Sequence, residues 1–224
     1  MIATAKTAYG DFLVFDDDHI GKIMLSGAHY EAELISTILN SCLDKNGLAI
    51  DIGANIGTHT VPFERHFRKV IAFEPQKKVF DLLKKNTAQL SNVHLSNSAL
   101  GHTTATMYIN SEDAAKDKNY GSAKLHNSKG EAVKVMPLDA YNTAKVKLIK
   151  IDVEGAEKLV IYGAQKTIRE QKPVVFFECA GLSRGIDRLH IGPPEVREFD
   201  LLEFFTDCGY RDICKEKHNI LMIP

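Results

Sequence analysis

Residues 49–60 read AIDIGANIGTHT, and the way that stretch must run decides the fold. An apolar run from Leu48 to Ile52 is the pattern of a strand buried on both faces. Gly53 then lets the backbone bend where a side chain would clash. Gly57 lets a ligand and the following helix approach closely. Strand, glycine turn and helix form the opening unit of a doubly wound α/β sheet. Only two of the three glycines of the dinucleotide fingerprint are present, so no pyrophosphate cradle is implied. Asp51 at the strand end suits a ligand carrying an ammonium or sulfonium cation better than one carrying phosphates. Its alternative reading is a cap on the turn. Ala54, Asn55, Thr58 and His59 complete the turn and the start of the helix, where a ligand would lie.

Working outward, short apolar runs alternate with helical stretches. Lys69–Phe73, Val93–Ser96, Val146–Ile151 and Val174–Phe177 read as strands. Gln76–Leu90, Ala156–Glu170 and Glu195–Cys208 read as helices. Gly57–Phe67 is a helix that Pro62 should kink or shift. Two closing strands, Tyr210–Cys214 and Asn219–Ile223, are separated only by Lys215–His218, which makes them an antiparallel hairpin. The expected architecture is a Rossmann-like α/β fold with a mostly parallel seven-stranded sheet, a terminal antiparallel hairpin and helices on both faces. One domain of 224 residues accommodates it. Residues 1–45 form an N-terminal extension: strands at Asp11–Phe15 and Gly21–Leu25, then a helix over His29–Asp44. Residues 102–137 form a strand-loop-strand insertion, Ala105–Asn110 and Ala132–Met136 around the polar loop Ser111–Gly130. That loop is long enough to be mobile or functional.

Glu74 follows the second core strand, 23 residues after Asp51. An acid at about that distance accepts hydrogen bonds from both ribose hydroxyls of an adenosine-bearing cofactor. Pro75 lies beside it, and Ser98 and Ala99 sit in the loop after the third strand, which usually covers the adenine. Asp152 and Glu178 end two later strands and point into the crevice outside the carboxyl ends of the sheet.

Composition narrows the partners. Formal net charge is -1, with 44% hydrophobic and 25% charged residues. A phosphate-binding protein usually carries a basic excess, so nucleic acid is disfavoured. The cysteines Cys42, Cys179, Cys208 and Cys214 lack CxxC spacing and read as buried thiols of a reducing compartment. The N-terminus lacks the charge and apolar pattern of a signal peptide, and no run approaches a membrane span. A cytoplasmic location is the default expectation. Nothing in the sequence sets the oligomeric state.

The segments DIGANIGTHT, AFEP at Ala72–Pro75 and IKIDVEGAE at Ile149–Glu157 resemble the FkbM family of S-adenosylmethionine-dependent methyltransferases. Weaker matches are SALG at Ser98–Gly101, NYGSAKL at Asn119–Leu125 and LDAY at Leu138–Tyr141. The resemblance runs from Tyr30-Glu31 to Phe177-Glu178, about two thirds of the chain. It implies a class I methyltransferase fold, S-adenosylmethionine as cofactor, and methyl transfer to a hydroxyl of a sugar or other small metabolite. Asp51, Gly53, Asn55, Gly57, Glu74 and Asp152 match its motifs, and Glu31 matches an acid near the amino-acid end of the cofactor.

Methyl transfer is an in-line displacement, for which an enzyme mainly supplies alignment. A neutral alcohol also needs a base or a metal. Asp152 is the first candidate base and Glu178 the second, with a helix cap as the structural reading of Asp152. Glu157 reads as structural at a helix start. A divalent cation such as magnesium, held by Asp152 and Glu178, is the second catalytic option. The loop Gly181–Pro194, with Arg184, Arg188 and His190, follows the fifth strand, where acceptors are usually held. Arginines there would suit an acidic acceptor. Rival readings are an RNA 2′-O-methyltransferase using Lys150 or Lys172, a non-catalytic cofactor-binding module, and a nicotinamide-dependent dehydrogenase. The last would want the third glycine.

Overall fold

The computed structural model describes residues 1–178, 191–216 and 219–224. An antiparallel hairpin, β1 (Ile2–Thr7) and β2 (Gly10–Phe15), opens the chain and leads through α1 (His19–Leu25) and α2 (Ala32–Ser41). The first core half follows: β3 (Leu48–Ile52), α3 (Thr60–Glu64), β4 (Lys69–Phe73), α4 (Lys77–Asn86) and β5 (Val93–Ser96). A side sheet then holds β6 (Ala99–Leu100), β7 (Ala105–Ile109), β8 (Leu125–His126) and β9 (Glu131–Met136), with α5 (Ser111–Lys116) between β7 and β8. The second half runs β10 (Val146–Ile151), α6 (Glu157–Tyr162), α7 (Gln165–Gln171), β11 (Val174–Glu178), α8 (Pro194–Arg197), α9 (Leu201–Asp207), β12 (Arg211–Glu216) and β13 (Asn219–Ile223).

The central sheet has the order β12-β13-β11-β10-β3-β4-β5. β5, β4, β3, β10 and β11 are parallel, whereas β13 is antiparallel to both β11 and β12. This is the arrangement expected from the alternating pattern and the closing hairpin. Alternation along β3 sorts its side chains by face. Leu48, Ile50 and Ile52 pack with Val160, Ile161, Ile168 and Phe205 from α6, α7 and α9. Ala49 packs with Ile35, Ile38 and Phe63 from α2 and α3 on the other face. Asp51 therefore points toward the α3 side, with Thr60 above it.

Four expectations are corrected. Gly21–Leu25 is helical: Asp18 accepts from the Ile20 amide at 3.0 Å as an N-cap, and Ile20 and Met24 bury one turn apart. Gly21 is pressed against β2, where a Cβ would lie 1.9 Å from the Phe15 carbonyl oxygen. The helix expected over Ala156–Glu170 is two, broken at Gly163, where a Cβ would meet the Gly101 carbonyl oxygen at 1.9 Å. The helix expected over Glu195–Cys208 is also two, the second restarted by Asp200, whose carboxylate accepts from the Leu202 and Glu203 amides. The polar stretch Ser111–Gly130 is not a bare loop: it contains α5, a 3-10 turn at Tyr120–Ser122 and β8. Among the described residues no helix is long and apolar enough to cross a membrane.

Candidate cofactor and acceptor site

The carboxyl ends of β3, β4, β10 and β11 open into one cavity, and the glycine turn shapes its floor. Gly53 has φ +78° and lies so close to β10 that a Cβ would be 1.8 Å from the Asp152 carbonyl oxygen. Only glycine fits there. The Gly53 and Ala54 amides donate to the Phe73 carbonyl at 3.0 and 2.9 Å, which ties the turn to β4. The Asn55 amide then donates to Glu74 Oε2 at 3.0 Å, and the Gln76 amide to Glu74 Oε1 at 2.9 Å. Glu74 thus braces the glycine turn as well as lining the cavity. Burial pushes its carboxyl up to about 7, although both amide bonds pull the other way.

Lys150 is the buried centre of charge, at 2% exposure on the penultimate residue of β10. Its Nζ donates to the Gly53 carbonyl at 2.9 Å and lies 3.3 Å from Asp51 Oδ1 and 3.6 Å from Asp152 Oδ2. Burial alone would lower the lysine pKa. Asp51, Asp152 and Glu31 outweigh burial and hold it above the ordinary value, so it stays charged. Asp51 also accepts from Thr60 Oγ1 at 2.6 Å and is wholly buried. Asp51, Ala54 and Gly57 lie behind the wall. Gly57 makes its close approach to α4, where a Cβ would meet Leu83 at 3.0 Å.

The remaining proposed site residues, Glu31, Gly53, Asn55, Thr58, His59, Glu74, Pro75, Ser98, Ala99, Asp152 and Glu178, all line the cavity. His59 is 3% exposed, and its Nε2 has no hydrogen-bond partner among the described residues. Burial, with Lys150 adding to it, depresses its pKa well below the usual value, so the ring is neutral. Glu31 Oε2 lies 3.6 Å from that nitrogen. Burial and then Asp152 push Glu31 up to about 7. Burial, the charge of Asp152 and a hydrogen bond with it raise Glu178 to about 8. Glu178 therefore holds its proton near neutrality beside Asp152.

Asp152 is not a helix cap, because α6 begins at Glu157 behind Ala156 and has no side-chain cap. Glu157 instead accepts from the Val153 and Gly155 amides at 3.3 and 3.0 Å, holding the turn below the cavity. Among the described residues no group of three or more His, Cys, Asp or Glu side chains could hold a metal ion. Lys172 bonds the Cys208 carbonyl beside Tyr210 and takes no part in the cavity. Cys179, Arg184, Arg188, His190 and His218 lie outside the described residues.

Sequence reasoning missed the wall formed by α1 and the insertion. His19 and Ile20 from α1 meet Asn119, Gly121 and Ala123 from the insertion along the cavity lining. Tyr120 pins them together: its amide donates to Asp18 Oδ1 at 2.9 Å, its carbonyl accepts from Gln76 Nε2 at 2.9 Å, and its hydroxyl bonds Lys78. The Asp18 cap before Ile20 and the NYGS turn were the available signals.

Four carboxyls with raised pKa make a stability prediction. Glu31, Glu74 and Glu157 titrate at about 7 and Glu178 at about 8, all above the 4.5 of a free glutamate. A raised folded-state pKa contributes stability that is present below the unfolded value and lost as pH rises through the folded one. The ligand-free protein is therefore expected to melt at progressively lower temperature from pH 5 to pH 8.5. A melting temperature that climbs across this range in scanning calorimetry would contradict the assignment.

Fold and site together define a Rossmann-like chain with the class I methyltransferase fold. The chain belongs to the FkbM methyltransferase family: the methyltransferase FkbM domain model matches residues 51–211. A 65-residue stretch is 45% identical to a Dictyostelium discoideum protein provisionally named a methyltransferase, covering 27% of this chain and 25% of that one. Methyltransferase 1 of Beauveria bassiana is 29% identical over 170 residues, 61% of this chain and 68% of that one. The crystal structure of an FkbM methyltransferase from Methylobacillus flagellatus superposes with a TM-score of 0.50 at 19% identity, covering 80% of this chain and 43% of that one. The chain thus spans a quarter of the first relative and under half of the crystallised protein.

Proposed function

We propose that this chain is an S-adenosylmethionine-dependent methyltransferase acting on a hydroxyl of a small molecule, such as a sugar residue. The observation that carries this reading is the juxtaposition of Asp152 and Glu178 in the same cavity that Glu74 lines, at the carboxyl ends of the core strands. The residues fit the cofactor. Glu74 has the chemistry to accept from ribose hydroxyls, and Ser98 and Ala99, which line the cavity, would lie beside the adenine. Glu31 and the unpaired Nε2 of neutral His59 suit the amino-acid end. When bound, the cofactor supplies a methyl group on a cationic sulfur, a charge that the acidic wall favours.

The chain's own residues then manage one proton. Asp152 lies 3.6 Å from Lys150 Nζ and lines the cavity, so it is the group placed to accept the hydroxyl proton of the acceptor. Glu178, which keeps its proton near neutrality, hydrogen-bonds Asp152 and steadies its orientation. Lys150 supplies the local positive charge that a metal would otherwise bring. Its engagement with Gly53, Asp51 and Asp152 leaves it part of the wall, which weighs against an RNA-directed role for it.

Calorimetric titration tests the reading: S-adenosylmethionine and S-adenosylhomocysteine should bind, and NAD far more weakly. Tighter NAD binding would sink it. Glu74→Ala should weaken cofactor binding by ~1–3 kcal/mol, the usual cost of removing a partner from buried polar groups. It should also lower the melting temperature, because the Asn55 and Gln76 amides lose their acceptor. An unchanged dissociation constant would reduce Glu74 to a brace for the glycine turn.

A further inference from the structure

The glycine turn is tied to the N-terminal hairpin as well as to β4, and the ties end on backbone carbonyls of the turn itself. His29 is 7% exposed, with its Nε2 2.8 Å from the Thr58 carbonyl oxygen and its Nδ1 3.2 Å from Thr7 Oγ1 at the end of β1. A carbonyl can only accept, so Nε2 carries a proton and donates it to Thr58. The rings of Tyr9 and Phe12 meet the imidazole in T-shaped contacts, with centroids 4.6 and 5.4 Å away. A second tie runs through Asn86 of α4. Its Nδ2 donates to the carbonyls of Leu13 in β2 and Ile56 in the turn at 3.0 and 2.9 Å, and its Oδ1 accepts from the Leu13 amide at 2.8 Å. Arg65 adds a bond to the Tyr9 carbonyl at 2.6 Å.

These ties hold a strained piece of chain. Asn55 has φ 49°, in the left-handed region that side chains disfavour, and such a conformation persists only where its surroundings over-determine it. Asn55 and Thr58 line the cavity, while Ile56 and Thr58 carry the two anchored carbonyls. No residue of β1 or β2 is among the described residues that line the cavity. Both strands precede residues 51–211, the span of the family domain, so this support comes from outside it.

Resting on the methyltransferase reading above, we infer that the N-terminal hairpin sets the shape of the cofactor loop, with His29 as the positioning residue that acts through Thr58. Cofactor affinity is then coupled to the docking of the hairpin.

Calorimetric titration with S-adenosylhomocysteine tests this, at a temperature where circular dichroism shows each variant fully folded. His29→Phe keeps a ring beside Tyr9 and Phe12 and removes the donor to Thr58. Affinity should fall about tenfold, the scale of coupling between linked sites. His29→Gln places an amide N–H at similar reach and should recover most of that loss. A residue that only stabilises the fold would lower the melting temperature in His29→Phe and leave affinity unchanged, and that result overturns the inference. So does a His29→Gln variant that binds as weakly as His29→Phe, because the hydrogen bond would then not be what matters. If His29→Phe does not fold, wild type labelled at the histidine ring nitrogens decides. The His29 Nε2 resonance should shift when S-adenosylhomocysteine binds, and an unchanged resonance overturns the inference. Absence of any binding by wild type overturns the methyltransferase reading and this inference with it. Binding that His29→Phe leaves intact overturns this inference alone.

Discussion

Replacing Asp152 with Asn is expected to cut turnover by ~10²-fold or more while leaving the fold and most of the cofactor affinity in place. The side chain keeps its shape and loses its charge, so under the proposed reading the acceptor hydroxyl would keep a neighbour but lose its proton acceptor. Among the described residues Asp152 caps no helix: α6, which follows it, has no side-chain cap. Lys150 keeps Asp51 and the Gly53 carbonyl after the change, which limits any loss of stability. Circular dichroism and calorimetry check the fold and the cofactor, and a methyl-transfer assay with labelled cofactor checks the chemistry. Adding EDTA to wild type separates the two catalytic options. Indifference agrees with Asp152 as a base beside Lys150; loss of activity that magnesium restores would move the residue to metal binding. Near-wild-type turnover in Asp152→Asn would remove it from the mechanism altogether.

Lys150→Met should be the most destabilising single change in the site. It leaves Asp51, wholly buried, with Thr60 as its remaining polar contact, and it leaves the Gly53 carbonyl without its donor. Breaking a buried ion pair from one side typically costs about 3–5 kcal/mol, because the remaining charge stays buried. For a chain of this size that corresponds to a fall of ~6–20 °C in melting temperature. The double change Asp51→Asn with Lys150→Met removes the stranded carboxylate as well, so it should be more stable than Lys150→Met alone. A melting temperature within ~2 °C of wild type for the single variant would show that Lys150 is replaceable packing.

The strands β3, β4 and β10 lie at the residues their apolar runs predict, because a strand inside the sheet leaves a nearly continuous hydrophobic signature with sharp ends. The strand-end acids were legible for the same reason: once the strands are located, topology brings Glu74, Asp152 and Glu178 to one crevice. Asp51 was harder. Its position was readable, but its direction depends on the face that an α3 residue, Thr60, covers. Lys150 entered only as a proton handler for RNA, since a lysine inside a buried strand has no local pattern that names its partners; Asp51 is 99 residues away in sequence. Helix α1 was mistaken for a strand because seven residues are too few for a clear period. The wall formed by α1 and the NYGS turn rests on tertiary contacts through Asp18 and Tyr120, which no window of sequence contains.

The Asp51–Lys150 contact also bears on how the chain finds its sheet. The two residues stand directly opposite each other in the β3–β10 register. Their strands are brought together only after the whole first half of the fold, with its side sheet, has been threaded between them. Parallel pairing over such a separation is slow and open to slippage. A slip of one residue would turn Lys150 to the face of Ile149 and Ile151, among the side chains of α6 and α9, and would leave Asp51 opposite isoleucine. Both misplaced charges would then sit in hydrocarbon. The pair that steadies the cavity would thus also penalise the nearest wrong alignments of the two central strands.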